Sequence, residues 1–409
     1  QADILPTGRH FYSVDPQKIP TPAAWLVGQR LAEALLARCR EEQGGWPDSV
    51  GVILWASPTM RSKGDDVAQI LALMGLRPLW RQGSGTVHGL EVIPLAELGR
   101  PRIDVVPRIS GIFRDAFPLL VDLIDQAVEM AAALDEPAAD NFIRDHVVRD
   151  RRHWLDRGLD PEQAERRATL RVFGAPPGSY GTGVTELIES KVWQSSDDLG
   201  EIYIQWSSHA YGRNLFGQEA GESFRRLLGR VTVTVKNEDS REKDMMSCTD
   251  FYGHHGGLIS AVRTVRGQSP LSLAGDSADP AQVRMRTTLE EARHIFRARL
   301  LNPKWLQGLK RHGYKGAGDV SKAMDIILGW DATAGVVDDW MYRRFAERVA
   351  LDPEMRDWMR QVNPHALHNI IDKLLEASAR GLWQGDRETL EALRQTYLDV
   401  EGEIEECSE

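Results

Sequence analysis

The chain has 409 residues, is 42% hydrophobic and 27% charged, and carries a net charge of −10. That length suits two or three domains with a real core, and the acidic balance argues against a nucleic-acid-binding face. Cys39, Cys248 and Cys407 stand far apart without a CxxC, which excludes a zinc ribbon and fits a reducing, cytoplasmic setting. No stretch approaches the ~20 apolar residues of a membrane span, and no signal-peptide pattern opens the chain. It begins at Gln1 without a Met, so a fragment or a processed product is expected.

Prolines at 6, 16, 20 and 22 predict an extended, irregular arm at the start. Thr21-Pro22 then opens a helix to about Arg40, with a cap residue before a first-turn proline. "VGVILWAS" (50–57) is a continuous apolar run, as in a strand buried on both faces. A helix over 64–75 ends at Gly75. "RPLWR", "LEVIPL" and "RIDVVPRIS" read as strands, and a long helix runs from about Phe117 to Leu134. Strands alternating with helices predict an α/β fold with a mostly parallel sheet in the N-terminal half. Charged helical sequence fills about 136–170, "TLRVFG" returns to strand, and helical patterns cover 183–229. "RVTVTVK" (230–236) alternates, as in a strand with one wet face. After about Gly275 only helices are expected, the first begun by Asp279-Pro280. Three domains follow: α/β over 1–135, mixed α/β with the site over 136–275, and helical over 276–409.

No GxxxxGK[ST] is present, so ATP hydrolysis through a P-loop is not expected. "GAPPGSYGTG" (174–183) lacks the GxGxxG spacing, but lies between strand and helix, where backbone N–H groups can cradle an anion. No GxSxG occurs. Glu291-x-x-His294 is half of a di-iron carboxylate pattern without its second half, and reads as a surface pair.

The stretch with most chemistry is "KNEDSREKDMMSCTDFYGHHGG", from Lys236 to Gly257. It follows a strand, where α/β proteins place ligand sites. Asp239, Glu242, Asp244, His254 and His255 are carboxylates and imidazoles of the kind that bind divalent first-row metals. Their spacing matches no fixed metal motif, and a polar, solvated turn is the plainer reading of "NEDSREKD". On a helix one histidine could face a cavity and the other solvent or core. Arg114, in "RISGIFRDAFP", could grip a carboxylate, with Asp115 near a helix N-cap. Tyr180 and other aromatics in Gly-containing segments could wall a flat macrocycle.

Many blocks of this sequence, in order, resemble one family. They include "DILPTGRHFYSVDPQKIPTPAAW", "PRISGIFRDAFP", "RVFGAPPGSYGTGV", "WSSHAYG", "KNEDSREKD", "YGHHGGLISAVR" and "WDATAGVVDDWMY". The chain resembles the C-terminal part of the cobaltochelatase large subunit and, more distantly, the H subunit of magnesium chelatase. The "KNEDSREKD…HGG" form is similar to the cobalt branch, since the magnesium branch shares Asn-x-Asp-Ser without His-Gly-Gly. The resemblance implies insertion of Co²⁺, a substrate metal, into hydrogenobyrinic acid a,c-diamide in cobalamin synthesis. It implies AAA+ partner subunits that use ATP and Mg²⁺, which accounts for the missing P-loop, and no nucleic acid or membrane partner.

Loss of two pyrrolic protons needs bases near neutral pH. On that basis His255 and Glu242 are expected to be catalytic. Arg114, Tyr180, Lys236 and Asn237 are expected to hold substrate. The metal would meet His255, His254, Asp239, Glu242 and Asp244. Family members are much longer, and His254 stands where an apolar or aromatic residue is expected. The alternatives are a magnesium chelatase H-type subunit acting on protoporphyrin IX, or a non-catalytic metal-binding or ATPase-docking scaffold.

Overall fold

A computed structural model describes residues 14–406, so the start of the arm and Cys407 lie outside the described residues. The strands are β1 Ser49–Leu54, β2 Leu76–Trp80, β3 Val87–Val92, β4 Asp104–Ile109, β5 Val172–Gly174, β6 His209–Gly212, β7 Leu215–Glu219, β8 Val233–Glu238, β9 Leu271–Asp276 and β10 Arg284–Thr287. Eight form one mostly parallel sheet, while β2 and β3 pair as a separate antiparallel ribbon. The expected α/β class holds, although strands continue well past the N-terminal half. Cys39 and Cys248 are free thiols.

The chain divides into two compact units. The first comprises Gln1–Tyr180, Ser208–Thr232 and Gly275–Arg284. Here β1 and β4 run parallel, Ser49 opposite Asp104, and β5 joins β4 in parallel through Arg108 and Phe173. All residues of β1 and β4 are buried, which is why their sequences are apolar runs without alternation. Thr21 caps the helix Pro22–Gln43 by accepting from the Ala24 amide at 3.2 Å, and Gly44 ends it in the left-handed region. Gly75 ends Asp65–Met74 in the same way.

The hairpin β6–β7 falls where helix was expected. Asn214, with φ +57°, supplies its turn, a conformation asparagine tolerates better than most residues.

The second unit comprises Gly181–Ser207, Val233–Ala274 and Met285–Glu409. Its long helix Gly313–Ala334 is buried along most of its second half. The helix expected from Asp279-Pro280 starts later, at Thr288. Thr287 and Glu290 form a reciprocal capping box there, and β10 occupies the preceding residues. The helix then continues as a π turn, Phe296–Leu300. Strand β8 has no wet face, because Val233 through Asn237 are all buried. Its polar side is covered by residues 251–255, as described next.

Candidate functional site

Residues two apart share a face of a strand. On β8 that puts Thr234, Lys236 and Glu238 in one polar row. Lys236 is buried, its ammonium donating to the Asn237 carbonyl and to Glu238 Oε1 at 3.2 Å. The same ammonium stands 5.8 Å from the Phe251 ring centroid. Asn237 is also buried, and Asp239 is half-buried.

The loop after β8 is locked rather than solvated. Asp244 accepts from the Met246 amide at 2.9 Å and the Ser247 hydroxyl at 3.0 Å. Arg299 adds a two-pronged pair to both carboxylate oxygens, at 2.9 and 2.7 Å. Trp330 donates its indole N–H to the Met245 carbonyl at 2.8 Å. Asp244 is thus a staple that organises the loop, and its lone pairs are committed to the protein. Glu242, by contrast, is exposed at the tip.

The histidines lie in a π turn, Tyr252–Gly256, which runs into the helix Gly257–Arg266. A π turn carries an extra residue and shifts the backbone pairing. The Thr182 hydroxyl donates to the Gly253 carbonyl at 2.8 Å and satisfies it. The glycines here are set by contact. A Cβ on Gly256 would lie 2.2 Å from Thr333 Oγ1, and one on Gly257 would lie 2.4 Å from the Tyr203 ring.

Neither histidine reaches solvent or an open cavity: His254 and His255 are 6% and 3% exposed. His255 Nε2 lies 3.1 Å from Thr234 Oγ1, and its ring meets Trp330 edge-on at 5.9 Å. Burial, with a smaller contribution from the Lys236 charge, pushes the His255 imidazole down to about 3. It is neutral at pH 7 and a weak base, which argues against the proton-acceptor role expected for it. The expected set of His254, His255, Asp239, Glu242 and Asp244 is not gathered. Among the described residues no three His, Cys, Asp or Glu side chains stand where they could hold one ion.

Arg114 and Tyr180 belong to the first unit. Ser110, not Asp115, caps the short helix Gly111–Ala116 after β4, and Arg114 and Asp115 sit in its last turn. Arg114 is 3% exposed. Its Nε and Nη2 donate to the two oxygens of Asp115 at 2.7 and 3.0 Å. Nη1 donates to the carbonyls of Pro176 at 2.8 Å and Ser179 at 3.1 Å. The guanidinium is used up holding the Gly/Pro loop after β5, so it does not reach out to a substrate carboxylate. The Arg114 pairing, with the Tyr180 bond, holds the Asp115 carboxyl below its usual range. Tyr180 is 56% exposed, its hydroxyl donating to Asp115 Oδ2 at 2.8 Å and its ring 5.4 Å from Arg114. Sequence reading missed Thr182, Thr234 and Trp330, whose roles depend on contacts distant in the chain and leave no local motif.

The molecule is thus a mixed α/β protein with two locked loops at strand ends, one polar and buried, one aromatic and exposed. Residues 1–390 match the CobN/Magnesium Chelatase family. The catalytic subunit of cobaltochelatase from Mycobacterium tuberculosis is 47% identical, with a TM-score of 0.93 over 97% of this chain and 33% of that one. The aerobic cobaltochelatase subunit CobN of Pseudomonas aeruginosa is 44% identical over 98% of this chain and 32% of its own length. The magnesium-chelatase large (H) polypeptide of Chlorobaculum parvum is 37% identical over 98% and 31%. The chain belongs to the CobN/magnesium chelatase family and spans about a third of the length of these relatives.

Proposed function

We propose that this chain is part of the tetrapyrrole-binding large subunit of an ATP-dependent cobaltochelatase. The substrates are Co²⁺ and hydrogenobyrinic acid a,c-diamide, and the energy comes from AAA+ partner subunits. The observation that carries the cobalt reading is the gradient of likeness. Identity is 44% and 47% to the two cobaltochelatase subunits and 37% to the magnesium-chelatase relative. Among the described residues no helix is long and apolar enough to cross a membrane.

In this reading the residues near β8 divide by accessibility. Asp239 and Glu242 are the carboxylates suited to meeting a hydrated cation, and their oxygens are the hard donors such an ion accepts before transfer. Asp244 shapes the loop beneath them. His255 orients β8 through Thr234 and stays neutral. Further ligands and the bases that take the two pyrrolic protons come from parts of the polypeptide beyond this third.

The test is an uptake assay on the full-length subunit with its ATPase partners, monitored by visible absorption. E242Q and D239N are expected to slow cobalt insertion at limiting Co²⁺, whereas H255Q changes stability more than rate. Unchanged rates in both carboxylate variants would remove the metal-delivery role.

A further inference from the structure

The described residues include three strongly exposed aromatic side chains, Tyr180, Phe216 and Tyr314. Two of them border one loop. Tyr180 ends the segment Ala175–Tyr180, and Phe216 sits on the β6–β7 hairpin that packs on it. A Cβ on Gly217 would lie 2.4 Å from Pro177 Cγ, so the hairpin turn touches that loop directly. Phe216, 64% exposed, rests edge-on against Tyr211 at 5.5 Å, and the Tyr211 hydroxyl donates to the Ala175 carbonyl. Both rings are therefore fixed to the same short segment.

That segment is held rigid without any occupant. Arg114 binds its carbonyls from below, and Gly178, with φ +79°, allows the turn. Gly111 lets Tyr180 lie flat on the helix after β4, since a Cβ there would be 2.5 Å from Tyr180 Cδ1. The loop follows β5 and the Gly111 helix follows β4, two parallel strands. Small molecules bind α/β sheets at such carboxyl ends. Rigid rings lose little freedom on binding, so they are effective stacking surfaces.

We propose that Tyr180 and Phe216 form an aromatic platform for one face of the flat substrate macrocycle, with Asp115 as the residue that positions Tyr180. This rests on the tetrapyrrole reading above. Arg114 covers one side of the Tyr180 ring and Asp115 fixes its hydroxyl, which leaves the other side for stacking.

The test titrates hydrogenobyrinic acid a,c-diamide into the chain and follows its visible absorption band. Wild type should show a saturable shift. Y180A and F216A should each weaken binding roughly three- to tenfold, with far-UV circular dichroism unchanged because both side chains are on the surface. Y180F keeps the ring and should recover most of the affinity. D115N should weaken binding in wild type but add nothing in the Y180A background. No shift with wild type would overturn the tetrapyrrole reading itself. A wild-type shift that Y180A and F216A leave intact would overturn only the platform and would fit a protein-docking face. Additive losses from D115N and Y180A would overturn the positioning role.

Discussion

His255 is neutral where its neighbours are charged, and this fixes the sign of its effect on stability. Its folded value is about 3, against an ordinary histidine value of about 6.5. The unfolded chain therefore binds more protons between these limits, and stability falls as pH drops from about 6.5 toward 3, by up to ~1.4 kcal/mol per unit. Urea unfolding between pH 4 and 7 should show H255Q with a shallower slope than wild type. Equal slopes would mean that the histidine is hydrated. Asp331 has the opposite sign. It is buried in the last turn of the helix Gly313–Ala334, where the helix dipole disfavours an anion. It accepts from the Tyr342 hydroxyl at 3.0 Å and from the Val337 amide at 3.3 Å. Burial lifts its carboxyl to about 7. The folded state holds the extra proton between about pH 4 and 7, so this group's contribution is lost as pH rises through that window. The stability difference between D331N and wild type should move in favour of D331N from pH 4 to 7. A constant difference would show that Asp331 ionises normally.

At the level of elements, the Tyr252–Gly256 π turn shows what sequence can and cannot reveal. The "HHGG" run was legible as a place of close approach, and Thr333 and Tyr203 do press on its glycines. That both rings would be buried was not legible, because Trp330 and Thr234 come from 75 residues downstream and 21 residues upstream of His255. Helix caps such as Thr21 and Gly75 were readable, since their signals are local. The β6–β7 hairpin was not, because "HAYGRNLFGQE" is too short to establish a period. The Thr182 hydroxyl is the inferred support of the π turn. T182V should cost about 1–3 kcal/mol by leaving the Gly253 carbonyl without a donor, whereas T182S should cost far less. Thermal or urea denaturation decides it, and a T182V as stable as wild type would show that the turn finds another partner.

For the molecule as a whole, family membership was legible in ordered sequence blocks and in nothing that composition or periodicity provided. The individual roles within those blocks were less so. "KNEDSREKD" reads as a ligand list, yet Asp244 proved to be an internal staple and Arg114 a loop clamp. Long-range pairing reassigns such residues, and spacing in one dimension does not record it. The chain covers about a third of its relatives, so the complete metal path includes residues beyond it. The central claim is cobalt insertion into a tetrapyrrole, and the direct measurement is metal insertion by the full-length subunit with its ATPase partners, supplied separately with Co²⁺ and Mg²⁺. Cobalt should enter hydrogenobyrinic acid a,c-diamide only when ATP is present. Magnesium entering protoporphyrin IX at an equal or greater rate, or no insertion of either metal, would contradict it.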